Sequence, residues 1–126
     1  MTTASIASSK YRLSLNNGRH SFFADEPISS NGTDTAPAPD ELLEAALASC
    51  TAITLRMYAD RKQWQVETID VSVHLSRENG KTVFTKNIGV HGELNDEQKK
   101  RLEEIAKSCP VSKSLLGEVE INSSIQ

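Results

Sequence analysis

The segment LLEAALASCTAITLRMYA, Leu42 to Ala59, limits what this chain can fold into more than any other. Between Glu44 and Arg56 every residue is uncharged, and Cys50 stands near the middle. Pro39 occupies the place of a first helical residue, where its missing N–H costs nothing, and Asp40 and Glu41 suit the positive end of a helix. The pattern predicts a helix from Pro39 to about Lys62. Leu43, Ala46, Leu47, Cys50, Ile53, Thr54 and Met57 recur at three-to-four spacing and define an apolar stripe that includes Cys50. Leu42, Ala45, Ala48, Ala52 and Leu55 fall off that stripe and are apolar too. A helix hydrophobic nearly all round is buried all round. A chain of 126 residues has little else with which to cover it. A second copy of the chain in a symmetric homodimer is the simplest cover.

The remaining segments supply strands and shorter helices. Tyr11, Leu13 and Leu15 alternate with polar residues as a half-buried strand does. Asn16-Asn17-Gly18 is a turn signal, and GRHSFFADEP can return as the second strand of a hairpin. SSNGTDTAPAP, residues 29–39, has loop composition. VETIDVSVHL, residues 66–75, alternates strictly, and Glu78-Asn79-Gly80-Lys81 turns it into a return strand over Lys81–Glu93. Val83, Ile88 and Val90 are its expected inward residues, and their change of parity suggests a bulge near Lys86. Asn95 with Gln98 three residues on predicts a capped helix with an apolar stripe of Leu102, Ile105, Ala106 and Cys109. Pro110 breaks it at Cys109, Val111–Leu116 forms a short second piece, Gly117 ends that, and Glu118–Ile125 reads as a last strand. The expectation is one α+β domain over 1–126, an antiparallel sheet wrapped on a long buried helix, with residues 1–10 flexible.

Composition excludes several classes. With 14 basic and 17 acidic residues and no basic cluster, nucleic acid is not an expected partner. The start, MTTASIASSK, lacks the apolar core of a secretory signal, and no uninterrupted apolar run reaches membrane-spanning length. A cytoplasmic protein without a membrane partner is expected. There a permanent structural disulfide between Cys50 and Cys109 is disfavoured. His20, His74 and His91 are scattered and none stands at ligand spacing from a cysteine, so no metal site is expected.

Both cysteines fall on inward helix faces, where each can meet the other. Buried free cysteines are usually inert core residues. Two details favour chemistry. Cys109 sits at a helix break, and Cys50 has small neighbours in Ala46, Ala48, Ser49 and Thr51. Burial raises a thiol pKa, while the thiolate is the nucleophile, so a reactive Cys50 needs a cation nearby. Arg56, six residues along, is rotated about 240° away. Arg19, after the Asn-Gly turn, is the better candidate, with Asp40 or Glu41 as the acid that orients it. Glu44 reads as a solvated or interface charge.

Two blocks, DTAPAPDELLEAALASCTAITLRMYADRK and, 59 residues after its cysteine, AKSCPVSKSL, resemble the OsmC/Ohr family of thiol-dependent hydroperoxide reductases. HSFFADEP and RMYADRKQW are similar to the OsmC-like subgroup. The resemblance spans about residues 11–120. It implies an intertwined homodimer with sheets wrapped on long central helices. It implies a peroxidatic Cys50 attacking an alkyl or fatty-acid hydroperoxide, a resolving Cys109, a dithiol or thiol reductant, and no cofactor. An arginine holding the thiolate and a glutamate holding that arginine complete the implied site. Here the position ten before Cys50 is Asp40, one methylene shorter; Glu41 matches the acid of the ELL run but points about 100° away. Arg19 in NNGRH matches the arginine only loosely. Two functions are therefore expected in competition: an organic hydroperoxide peroxidase, or a non-catalytic protein of the same fold. The latter would bind a small apolar ligand at its dimer interface and keep its cysteines as core residues.

Overall fold

The computed structural model describes residues 1–126, which form two compact units, 1–43 and 44–126. In the first, β1 (Thr3–Ser5), β2 (Leu13–Asn16) and β3 (Ser21–Ala24) make an antiparallel sheet in the order β1-β2-β3. The polar N-terminus, read as flexible, thus contributes an edge strand, with Thr3 opposite Asn16 and Ser5 opposite Ser14. The β2–β3 turn forms where Asn16-Asn17-Gly18 places it. Gly18 adopts φ +90°, and the Asn17 side-chain oxygen accepts from the Arg19 and His20 amides.

The loop that follows is organised by one carboxylate. Asp25 is 1 % exposed. Its oxygens accept from the amides of Tyr11, Glu26, Thr33 and Thr35 and from the hydroxyls of Thr33 and Thr35, at 2.5–3.5 Å. The Thr33 hydroxyl bond, with those of Thr35 and Glu26, overcomes the cost of burial and holds Asp25 well below the usual carboxylate range. Arg12 donates to the Thr35 carbonyl and hydroxyl and stacks 4.1 Å from the Phe23 ring centre. Gly32 is required here, since a Cβ would lie 2.0 Å from the Glu26 carbonyl oxygen.

α1 spans Pro39–Lys62, the predicted range, and begins in the first unit. Glu41 accepts from the Ala38 amide at 2.9 Å, capping the helix start. Gln63, at φ +58°, stops the helix in the left-handed conformation. The buried face is not the expected stripe. Leu47, Thr51, Leu55 and Ala59 are buried at strict four-residue spacing, whereas Leu43, Ile53 and Met57 are exposed and Cys50 is half-buried beside Thr51. In a segment apolar on every side, spacing alone could not say which side faces the sheet. α1 is long and apolar enough to cross a membrane by length and composition (mean hydropathy 1.2), yet Leu55 lies at the centre of the second unit's core, so it is a core helix.

In the second unit, β4 (Gln65–Glu78) and β5 (Lys81–Glu93) form a long antiparallel hairpin closed by Asn79 and Gly80, both at positive φ. α2 (Asp96–Ala106) starts with the expected Asn95/Gln98 capping box, and α3 (Pro110–Leu116) follows Cys109. Leu55 of α1 packs with Leu102 and Ala106 of α2, surrounded by Ile69, Ile88, Val90 and Trp64. Truncating one such leucine costs about 2–5 kcal/mol.

Two further expectations fail. The ladder runs unbroken through Val73–Lys86, and the irregularity lies at Val66/Thr68 instead. There Arg56 donates to the Val66 and Glu67 carbonyls at 2.8 and 3.0 Å, so it does point away from Cys50. Gly92 fits opposite that bulge, where a Cβ would lie 2.1 Å from the Gln65 carbonyl oxygen. With no bulge at Lys86, that lysine shares a face with Ile88 and Val90, while Val83 faces the other way. The last strand does not form either: residues 118–125 are irregular, with Val119 and Ile121 exposed. Alternation alone cannot make a strand without an edge to pair with.

Candidate active site

Cys50 and Cys109 are both free and lie together in the second unit, where the Cys50 side chain hydrogen-bonds Cys109. α1 carries Cys50 at its midpoint. The break between α2 and α3 carries Cys109: Pro110 fixes the first position of α3, and Cys109 becomes its N-cap, with Sγ accepting the Ser112 amide at 3.5 Å. Their exposure differs. Cys109 is fully buried, and Cys50 is reachable.

Three residues not foreseen complete the centre. Thr51 Oγ1 lies 3.6 Å from Cys109 Sγ, and Ser112 Oγ lies 3.1 Å from it. Lys86 reaches in from β5 and donates to Thr51 Oγ1 at 3.1 Å, to Ser112 Oγ at 3.3 Å and to the Ala106 carbonyl at the end of α2 at 2.8 Å. Burial acts to raise the Cys109 pKa, but hydrogen bonds from the Ser112 hydroxyl and amide, Thr51 and Cys50 outweigh it, and the thiol titrates at about 7. Signals for these residues existed. Lys86 keeps the parity of Ile88 and Val90, and Ser112 stands three residues after Cys109, at N-cap to N3 spacing.

The other predicted site residues lie in the first unit. Arg19 is exposed on the β2–β3 turn, and Asp40 and Glu41 occupy the first turn of α1. Glu44, expected as a solvated or interface charge, accepts the Leu75 amide at 2.8 Å and sits 3.7 Å from His74 Nδ1, tying α1 to β4.

A long helix packed on an antiparallel hairpin, with two facing free thiols at its middle, defines an α+β paired-thiol protein. The family described as OsmC-like protein matches residues 32–124, and the chain belongs to that family. Solved structures agree on the fold. An OsmC-like protein from Mycoplasma pneumoniae superposes with a TM-score of 0.78 at 18 % identity, covering 93 % of this chain and 86 % of its own. A putative osmotic stress induced and detoxification response protein from Psychrobacter arcticus gives 0.76 at 22 % identity, covering 90 % and 85 %. The organic hydroperoxide resistance protein OhrB of Bacillus subtilis gives 0.62 at 22 % identity, covering 95 % and 92 %. No curated protein matches the chain in sequence.

Proposed function

We propose that the protein is a thiol peroxidase that reduces organic hydroperoxides. The observation that carries this is the pairing of a reachable thiol, Cys50, with a buried thiol of lowered pKa, Cys109. Family membership, and the organic hydroperoxide resistance protein among its structural relatives, support it. Cys50 thiolate attacks the peroxide: an S–O bond forms, the O–O bond breaks, and the alkoxide takes a proton and leaves as an alcohol. Cys109 thiolate then attacks the Cys50 sulfur. The S–S bond forms, the S–O bond breaks, and the departing hydroxide takes a proton from solvent to leave as water. A dithiol returns both cysteines to thiols by exchange. Access sets the order, because a fully buried Cys109 cannot meet a bulky peroxide first. In this reading Arg19, oriented by Asp40 or Glu41, holds the Cys50 thiolate, and a second copy of the chain covers the exposed Ile53 and Met57.

Consumption of cumene hydroperoxide with dithiothreitol tests the assignment. Wild type is expected to exceed the background thiol rate by at least ~100-fold, and Cys50→Ser to fall to background. A wild-type rate at background would sink it. A cleft of about 300 Å³ lined by Ala52, Ile53, Arg56, Met57 and Ile69 favours a second reading, apolar-ligand binding without catalysis. That reading gains if the rate is at background and a hydrophobic dye is displaced from the native protein by fatty acids.

A further inference from the structure

We infer that Lys86 is a positioning residue that sets the protonation of Cys109 through the hydroxyls of Thr51 and Ser112. The inference deepens the peroxidase reading and depends on it only for the purpose of a Cys109 thiolate.

The argument is one of hydrogen-bond capacity. Each hydroxyl has one proton and two lone pairs. In the thiol form, Cys109 S–H donates to Ser112 Oγ. Lys86 Nζ also donates to that oxygen and to Thr51 Oγ1, so in the thiol form both lone pairs of Ser112 Oγ are filled and its own proton must turn away from sulfur. With its oxygen already accepting from an ammonium, the Ser112 hydroxyl proton is best turned to sulfur. Sulfur accepts it well only as thiolate, alongside the Ser112 amide. Thr51 has a second outlet for its proton, the Leu47 carbonyl at 2.8 Å, so Ser112 is the stronger arm of the relay.

Cys109 meets Cys50 and Thr51 from α1 and Ser112 from α3, and Lys86 of β5 bonds Thr51, Ser112 and the Ala106 carbonyl of α2. Lys86 is the one cation in that set. Its three acceptors are two hydroxyls and a carbonyl, none of them charged, so its charge is uncompensated there. Even half-buried, an ammonium with no carboxylate partner gives up some of its hydration. A sulfur that becomes negative next to it repays that cost.

The test uses Cys50→Ser, which leaves Cys109 as the only thiol and keeps a hydroxyl beside it. Thiolate absorbance near 240 nm is followed against pH, and no peroxide is involved. With Lys86 present the midpoint is expected near 7. Lys86→Met, nearly isosteric and neutral, is expected to raise it by about one pH unit or more, toward the ordinary thiol range. Lys86→Arg, which keeps the charge and donors, is expected to stay closer to the parent. Ser112→Ala is expected to raise the midpoint as well, and adding Lys86→Met to Ser112→Ala with Thr51→Val is expected to change little further. A folded Lys86→Met with the parent midpoint would overturn the inference. If Lys86→Met does not fold, an unmoved midpoint in Ser112→Ala does the same. Loss of peroxidase activity in wild type would defeat the proposed function and leave this titration untouched.

Discussion

Two buried ionisable groups, Asp25 in the first unit and Cys109 in the second, are stabilised by the same physics to opposite ends. Asp25 receives six hydrogen bonds from four residues, all amides or hydroxyls fixed by the loop they close. Its charge is settled far from neutral pH, so it ties the loop as a fixed anion. Cys109 receives fewer and longer contacts, from hydroxyls that can turn, beside a lysine and a second thiol. Its pKa near 7 leaves both protonation states populated at neutral pH. Donor saturation makes a structural anion. Partial, rotatable donation leaves a charge that comes and goes near neutral pH.

The comparison can be broken at either end. The largest effect is expected at the thiol: Cys109→Ser should abolish disulfide formation after one equivalent of cumene hydroperoxide, seen as intact mass with one oxygen retained and no loss of two hydrogens. Next, Asp25→Ala should lower the melting temperature substantially, since it strands four amides and two hydroxyls at once. Thr33→Val removes one arm of that cluster and should cost about 1–2 kcal/mol in urea unfolding. The smallest effects are in pH. The Asp25 pKa is depressed on folding, so its stabilisation is full above the ordinary carboxylate range, about pH 4–5, and is lost as pH falls below it. The Cys109 pKa is also depressed, so its contribution is full above the ordinary thiol range and declines as pH falls through about 7. Melting temperature against pH should therefore show two separated declines. A decline near pH 7 that persists in Cys109→Ser would place it elsewhere.

The same contrast explains what could be read in the sequence. Backbone punctuation was legible. Pro39, the Asn95/Gln98 pair, Asn79-Gly80 and Pro110 each dictate local geometry, and each stands where expected. The two cysteines were legible as a pair, although Cys50 stands at the margin of the buried face of α1, beside Thr51, and only Cys109 is fully buried. What failed depended on partners. The most buried line of α1 includes Thr51, a polar residue that an apolar-stripe reading passes over. The bulge expected near Lys86 rested on counting Val83 as inward with Ile88 and Val90, which have the opposite parity. Once Thr51, Ser112 and the Ala106 carbonyl are seen to receive Lys86, its parity needs no irregularity. Asp25 was hidden because its donors lie eight and ten residues downstream in a loop whose closure the composition did not reveal.

The most direct test of the paired-thiol account is intact mass of the reduced, non-alkylated protein after one equivalent of cumene hydroperoxide. The account predicts quantitative loss of two hydrogens in wild type, with peptide mapping placing the bond between Cys50 and Cys109. In Cys109→Ser it predicts arrest at a single added oxygen on Cys50. Two intact thiols in the wild-type protein beside consumed or unconsumed peroxide would contradict it.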